Sequence, residues 1–415
     1  MSALPPDRPS LRTRARQRLR GSSGLPREVY VLGLIAFCVA VGFGVLVPVL
    51  PVFARNFGVD NFAVGAVVSA FAAMRLVTSP FCGRMIDAFG ERLVMATGIF
   101  IVAASSGVAG ISQTYEQLLV LRGVGGIGSA MFTVSATTLL LTSVEAGMRG
   151  RASGFFQGGF LLGGMTGPAI GGVLSAISLS APFFFYAGTL AVAGTVGLVL
   201  LRTRSEQRDG PELAVIPFRQ VLRDRRYQAA CLTNLAQGWT SFGVRSTLVP
   251  VLVVEVLDRP VSWTGIAFAC ASVAQTIAVG PAGRFVDTVG RRPAMIIGGL
   301  LAGVSILAVP FAPGIGLLIV ALSVYGVAAA FLGTAPAASV GDAAGGRSGT
   351  AVAVFSMCAD VGAIVGPLVA GLLADSFSYP VAFAAGAALL LLGSAAATRM
   401  PRTAPADEDR VGAAR

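Results

Sequence analysis

Four ionisable side chains fall deep inside long apolar runs of the sequence: Arg75, Arg122, Arg245 and Asp360. A charge near the centre of a bilayer is costly, so residues of this kind are candidates for binding or coupling rather than packing. Asp360 lies about 11 residues into its run, roughly 16 Å along a helix that rises about 1.5 Å per residue. No other carboxylate lies at that depth, because Glu28, Glu116, Glu255 and Asp375 fall near the ends of their runs. A carboxyl group in a low-dielectric setting holds its proton more tightly unless a cation is close. It can therefore be protonated beside one neighbour and ionised beside another, which is what coupling to a proton needs. The bland alternative is a static Asp360–Arg245 ion pair that braces the C-terminal half. Arg75 and Arg245 are also candidates for a polar cavity, with Gln157, Asn234, Gln237, Trp239, Gln275 and Tyr325. Each polar residue of that set could instead make an interhelical hydrogen bond, and Arg75 could cap a helix. Phe37 and Phe43 read as lipid-facing or core filler.

Missing residue types narrow the chemistry. The chain has no His, and no Lys appears in it, so all 31 basic residues are Arg. A Ser-His-Asp triad, a His-based zinc site, a Schiff-base lysine and a P-loop lysine are excluded, and the expectation is no enzyme activity, no metal and no cofactor. The five cysteines, Cys38, Cys82, Cys231, Cys270 and Cys358, form no CxxC and read as buried reduced thiols.

The elements that must hold these residues are membrane spans. Of 415 residues 54% are hydrophobic and 12% charged, and the mean hydropathy is +0.78. Ordinary soluble domains carry roughly a quarter charged residues. Long apolar runs stand at about 29–54, 62–82, 93–112, 117–142, 152–176, 182–201, 228–254, 262–282, 293–312, 314–338, 349–374 and 379–398. Each is near the ~20 residues that cross a bilayer, which predicts an all-α polytopic membrane protein of twelve spans, numbered here 1 to 12. Arginines alternate between the connections. Arg8, Arg12, Arg14, Arg16, Arg18, Arg20 and Arg27 precede span 1, and Arg202, Arg204, Arg208, Arg219, Arg223, Arg225 and Arg226 lie between spans 6 and 7. Arg84, Arg92, Arg149, Arg151, Arg284, Arg291, Arg292 and Arg347 follow the even-numbered spans 2, 4, 8 and 10, whereas the opposite side has only Arg55 and Arg259. The positive-inside rule then places both termini and the central loop in the cytoplasm, with the first span an uncleaved anchor. The net charge of +11 is explained by topology and anionic-lipid contact, with no nucleic-acid partner.

An internal repeat sets the domain plan. Gly83-Arg-Met-Ile-Asp87-Ala-Phe-Gly90-Glu-Arg92 is repeated as Gly283-Arg-Phe-Val-Asp287-Thr-Val-Gly290-Arg291-Arg292, an offset of 200 residues from 83 to 283. Val47-Pro48-Val49-Leu50 is matched by Val249-Pro250-Val251-Leu252, and Gly163-Gly-Met-Thr-Gly167-Pro168 by Gly362-Ala-Ile-Val-Gly366-Pro367. Three matches in the same order make chance a poor explanation. The expected plan is a disordered cytoplasmic tail at 1–27, a six-helix half at 28–201, a cytoplasmic loop at 202–227, a second six-helix half at 228–398 and a tail at 399–415. Two parallel halves of this type are an architecture of secondary transporters, with a site near the midplane between halves that rock.

The motifs resemble those of the major facilitator superfamily, over nearly the whole chain. The segments Gly83–Arg92 and Gly283–Arg292 look like the family's loop motif, with Glu91 standing where a basic residue is usual. Gly83 and Gly90 are expected to allow a tight turn. Asp87, facing Arg92 and the positive end of a helix in the other half, would be a latch that closes in one state; the alternative is a turn that only sets topology. Arg122-Gly-Val-Gly125-Gly126-Ile-Gly128 is similar to the motif that the family links to proton coupling, with Gly125 where Gln is frequent. Gly154, Gly163, Gly167, Pro168, Gly171 and Gly172 match the antiporter motif at every fixed position. Glycines near i, i+4 and i+8 clear one helix face, and the Gly-Pro pair bends the helix. A glycine-rich packing face would serve a non-antiporter as well. Val41-Gly42 and Pro48-Val-Leu-Pro51 resemble the signature of the twelve-helix drug–proton antiporter branch.

The resemblance implies a plasma-membrane secondary transporter, monomeric, that exports small hydrophobic or amphipathic compounds in exchange for protons, with Arg122 and Asp360 coupling and Asp87 and Asp287 gating. One departure is the lack of a carboxylate in spans 1 and 2, where many drug-exporting relatives have one. Three buried Arg against one Asp also suits an organic-anion or metabolite transporter. A transport-dead membrane sensor is the remaining reading.

Overall fold

The structure is a computed structural model, and it describes residues 25–144, 148–201, 218–343 and 349–401 of the chain. The tails and most of the central loop, with Arg8 to Arg20, Arg202 to Arg208 and Arg347, lie outside the described residues. Among the described residues there is no strand. In a bilayer every backbone polar group must be satisfied within its own segment, and the helix does that.

The N-terminal spans are Arg27–Leu46 with Leu50–Arg55, then Asn61–Phe89, Glu91–Ala109, Tyr115–Thr142, Arg149–Ser175 and Ala181–Leu200. A short helix, Phe218–Val221, precedes span 7. The later spans are Arg225–Glu255 in three segments, then Ser262–Thr288, Arg291–Phe311, Ile315–Ala343, Gly349–Ser376 and Tyr379–Thr398. Twelve traverses return the chain to the face it started from, the terminal face; the opposite one is the distal face. Side-chain caps fix several starts. Asp60 accepts from the Ala63 amide at 2.8 Å, and Thr114 accepts from Gln117 at 3.3 Å.

Among the described residues, ten helices are long and apolar enough to cross a membrane on their own. Span 5 is diluted by glycine, and span 7 is not one continuous α-helix. It runs as α-helix over Arg225–Gly238, as π-helix over Trp239–Leu248 and as α-helix again over Val249–Glu255. The Ser246 and Thr247 hydroxyls donate to carbonyls five residues back, Ser241 and Phe242, both at 2.7 Å. Long π segments are rare and cluster at functional sites. Span 1 breaks at residues 47–49, around Pro48, which has no amide to donate.

Two expectations are corrected here. Gly83 and Gly283 lie inside their helices and make no turn; the turns are at Gly90 (φ +80°) and Gly290 (φ +115°), where only glycine is unstrained. The helix simply continues past the apolar run, because its hydrogen bonds do not depend on hydropathy. The five cysteines are free, but only Cys82 is buried; Cys38, Cys231 and Cys358 are partly exposed and Cys270 is exposed.

One apolar core is built from residues between Val29 and Leu201, another from residues between Ala236 and Leu390. The outer surface is apolar too: Val199 and Ile277 are each 71% exposed. That pattern suits a lipid solvent.

Candidate functional site

Arg75 and Asp360 meet at the centre of the bundle. Arg75 is halfway along span 2, Asp360 near the middle of span 11, and Arg75 Nη2 donates to Asp360 Oδ1. The side chains are 30% and 23% exposed, so the pair is partly open to solvent. The alternative Asp360–Arg245 pair is thereby overturned. Spans 2 and 11 cross at small residues and run in opposite directions. A Cβ on Gly65 would collide with the Pro367 carbonyl, and Ser69 Oγ donates to the Ile364 carbonyl at 2.6 Å. Continuing that register by one or two turns brings Arg75 to Asp360, away from span 7.

Arg245 instead lies in the π segment of span 7, with its guanidinium 5.4 Å from the Phe268 ring and 5.7 Å from the Tyr325 ring. Cation–π attraction holds it there. Tyr325 is fully buried, and its hydroxyl meets Ser241 Oγ at 3.1 Å. Arg122, 5% exposed, stacks 4.4 Å from the Phe71 ring. Beside it is a cavity of about 30 Å³ lined by both halves, with Phe43, Val47, Val68, Phe242 and Ser246 among its walls. That volume is room for about two waters. The Nε atoms of Arg122 and Arg245, Gln237 Oε1 and Trp239 Nε1 are buried without a hydrogen-bond partner.

The remaining cavity candidates separate. Asn234 Nδ2 donates to the Phe355 carbonyl at 2.7 Å, the interhelical bond weighed against a cavity role. Gln157 is exposed and Gln275 partly exposed, neither of them joined to Arg75, Asp360 or Arg245.

The distal face is shut by cross-half contacts. Arg55 Nε and Nη2 donate to the two oxygens of Glu255 at 2.7 and 3.1 Å, and Tyr379 adds a bond to Glu255 at 3.2 Å. Asp375, at the end of span 11, accepts from the Asn61 amide at 3.1 Å, Asn61 Nδ2 at 2.6 Å and the Phe62 amide at 2.8 Å, and so caps span 2 of the other half. Gly172 approaches the Ser262 carbonyl, and a Cβ on Gly265 would meet the Pro168 carbonyl at 2.6 Å. Among the described residues, every polar side-chain contact between halves lies at the midplane or on its distal side.

On the terminal side, no polar side-chain contact joins the halves among the described residues. A Cβ on Gly154 or Gly158 would meet nothing within 4 Å. Asp87 is exposed and makes no ion pair among the described residues; Arg92 donates to the Leu198 carbonyl rather than to Asp87. The expected Asp87–Arg92 contact is therefore absent among the described residues in this state: the Gly90 turn puts the two on different helices, and the Leu198 carbonyl takes the Arg92 guanidinium. In the second copy Arg291 lies 4.0 Å from Asp287 and 3.0 Å from Asp342 of span 10. The 3.0 Å approach is off the N–H axis, so it is Coulombic rather than a hydrogen bond. Arg292 donates to the Met400 carbonyl at 3.1 Å.

The glycines of span 5 divide by role. Gly163, Gly167 and Gly171 face span 1, where a Cβ would strike the carbonyls of Phe37, Val41 and Val45. Gly172 faces the other half, and Gly154 faces open space.

Sequence reasoning missed the distal seal and the aromatic partners Phe71 and Phe268. Arg55 carried a readable signal, as one of two arginines on the arginine-poor side, which invites a search for a carboxylate at the same level.

Many apolar helices around two cores, with paired charges at the midplane, define a multi-pass membrane transport protein. A sequence profile of the major facilitator superfamily matches residues 32–274 and again residues 238–415, and the chain belongs to that family. It is similar to Multidrug resistance protein 1 of Bacillus subtilis, at 29% identity over 177 residues, 43% of this chain and 46% of that one. It is 27% identical over 175 residues to Quinolone resistance protein NorA of Staphylococcus aureus, 42% of this chain and 45% of that one. The chain thus spans about half the length of the curated relatives it matches. A bacterial homologue of the human lysosomal transporter Spinster, solved inward-facing and occupied, superposes with a TM-score of 0.77 at 15% identity, over 93% of this chain and 100% of that one. The chain has that all-helical fold.

Proposed function

We propose that this transporter exports small hydrophobic or amphipathic compounds across the plasma membrane in exchange for protons, by alternating access between two six-helix halves. The carrying observation is the Arg75–Asp360 pair, a titratable group and a fixed cation bridging the halves at the midplane. Neutralising Asp360 releases Arg75 and removes the innermost polar tie between the halves. Ionising it restores the tie, so proton binding and the relative stability of the two states are linked. The arginine asymmetry puts the terminal face in the cytoplasm, which makes the present state inward-open. The loop motifs act as latches in the opposite state, where the terminal face is shut. The names of the two drug-resistance relatives support a drug-like cargo.

The test is flux in proteoliposomes with an imposed pH gradient, against a panel of cationic, neutral and anionic compounds. Uphill movement of any of them that collapses with the gradient supports the reading. Flux indifferent to the gradient sinks proton coupling.

A further inference from the structure

We infer that Arg245 is an anion subsite, and that the cargo is an amphiphile bearing a carboxylate; this rests on the transport reading above. Arg75 and Asp360 neutralise each other. Arg245 has no carboxylate partner among the described residues, and makes no hydrogen bond. Its Nε is enclosed, whereas its two terminal nitrogens are neither enclosed nor bonded. That is the fork an arginine uses to hold a carboxylate in two parallel bonds.

The surroundings pre-organise it. The Phe268 and Tyr325 rings fix the guanidinium, and Ser241 holds the Tyr325 hydroxyl at 3.1 Å. A side chain already ordered loses less freedom when it binds a ligand. The π segment carries Arg245, and such segments cluster at functional sites. Two rings attract the cation but do not cancel its charge, so the site remains one positive charge in excess at a depth where excess charge is costly. A carboxylate on the cargo removes that excess, and the Phe268 and Tyr325 rings beside the guanidinium suit an aromatic or aliphatic body. A neutral cargo leaves the charge uncompensated, and a cationic one adds to it.

The experiment uses the full chain in lipid nanodiscs and three probes of nearly equal size: 2-naphthoate, its neutral amide 2-naphthamide, and the cation 2-naphthylmethylammonium. Binding is read by equilibrium dialysis. Wild type is expected to hold naphthoate about tenfold more tightly than naphthamide, the ratio for one charge-assisted hydrogen bond. Arg245→Gln should bring the two within about threefold of each other by weakening naphthoate alone, and Arg245→Lys should keep part of the preference. Unchanged naphthamide binding serves as the control that each variant is folded. Equal binding of acid and amide by wild type, preference for the cation, or a preference that survives Arg245→Gln would each overturn the subsite. Failure of the transport reading has a different signature: naphthoate bound through Arg245, with no flux of any probe responding to a pH gradient.

Discussion

Gly65 and Gly265 stand at equivalent places in the two halves, and each meets a proline carbonyl of the other half, Pro367 and Pro168 respectively. The two prolines are themselves repeat mates, from the paired Gly-Pro steps of spans 5 and 11. The same close crossing is therefore made twice, by spans 2 and 11 and by spans 8 and 5. Neither crossing tolerates a side chain at the glycine, so together they set how closely the halves approach on the distal side.

Gly65→Val should force that crossing apart. Overpacking at such a contact typically costs about 1–3 kcal/mol, which moves a two-state ratio by roughly five- to 150-fold. Spin labels on Cys introduced at Asn56 and Asp258 should show a longer distal distance population, and Gly265→Val should act in the same direction. Unchanged distances with unchanged transport would mean that the crossing does not hold the closed state.

Asp360→Asn should bind cargo but lose accumulation driven by a pH gradient, while cargo–cargo exchange survives. Arg75→Gln alone should be worse than the double variant, because it strands a half-buried carboxylate without its cation. A double-mutant cycle on protein stability should give a coupling of about 1–3 kcal/mol for this pair. Arg245→Gln combined with Asp360→Asn should be additive, in contrast to what direct pairing of those two would give.

The carboxylate of the Arg55–Glu255 pair is more exposed than Asp360, 37% against 23%, so this pair's contribution should be no more than about 1 kcal/mol. Glu255→Gln should change turnover by less than about fivefold, with the difference shrinking in high salt. Asp375→Ala should matter more, since it frees two amides at the start of span 2 at once and leaves only the Asp60 cap, a loss of about 1–2 kcal/mol. Thermal melts of the two variants in the same nanodiscs give the order directly.

Topology is checked by labelling with an impermeant thiol reagent in intact cells, on a background without the native cysteines. A Cys at Ser205, in the central loop, should be labelled only after permeabilisation, and one at Asp258 without it. Labelling of Ser205→Cys in intact cells would invert the assignment.

Asp87→Asn should insert and fold normally, because Asp87 is exposed and has no ion-pair partner among the described residues. Its effect should appear in the other state, as slower transport with a larger inward-open fraction. Wild-type rates would leave the loop as a topological turn.

Much of the frame was legible because membrane spans announce themselves by length and hydropathy, and because duplication repeats the motifs. Asp360 and Arg75 were singled out for the same reason: charge is conspicuous in an apolar run. Their pairing was not legible. It depends on the register in which span 2 crosses span 11, and that register is set by Gly65 and Ser69 against carbonyls, contacts without any sequence periodicity. Gly83 misled because a glycine in a short motif reads as a turn, whereas the turn needs positive φ only at Gly90. The π segment has no compositional signature in Trp239–Leu248; the extra width of its turns is a matter of backbone register alone.

Seen from the lipid, the molecule has two seams, and duplication did not make them equal. Along one, spans 2 and 11 are fastened by the Arg75–Asp360 ion pair and the Ser69 bond. Along the other, the matching places are Gln275 and Leu161, which cannot form such a pair, and among the described residues no ion pair or side-chain hydrogen bond joins span 5 to span 8. A rocking motion about these seams then has a charged fastening on one flank and a greasy slip-plane on the other. Under the proposed alternating access, the flank of spans 2 and 11 would part only once its charges are released, whereas the flank of spans 5 and 8 carries no such tie.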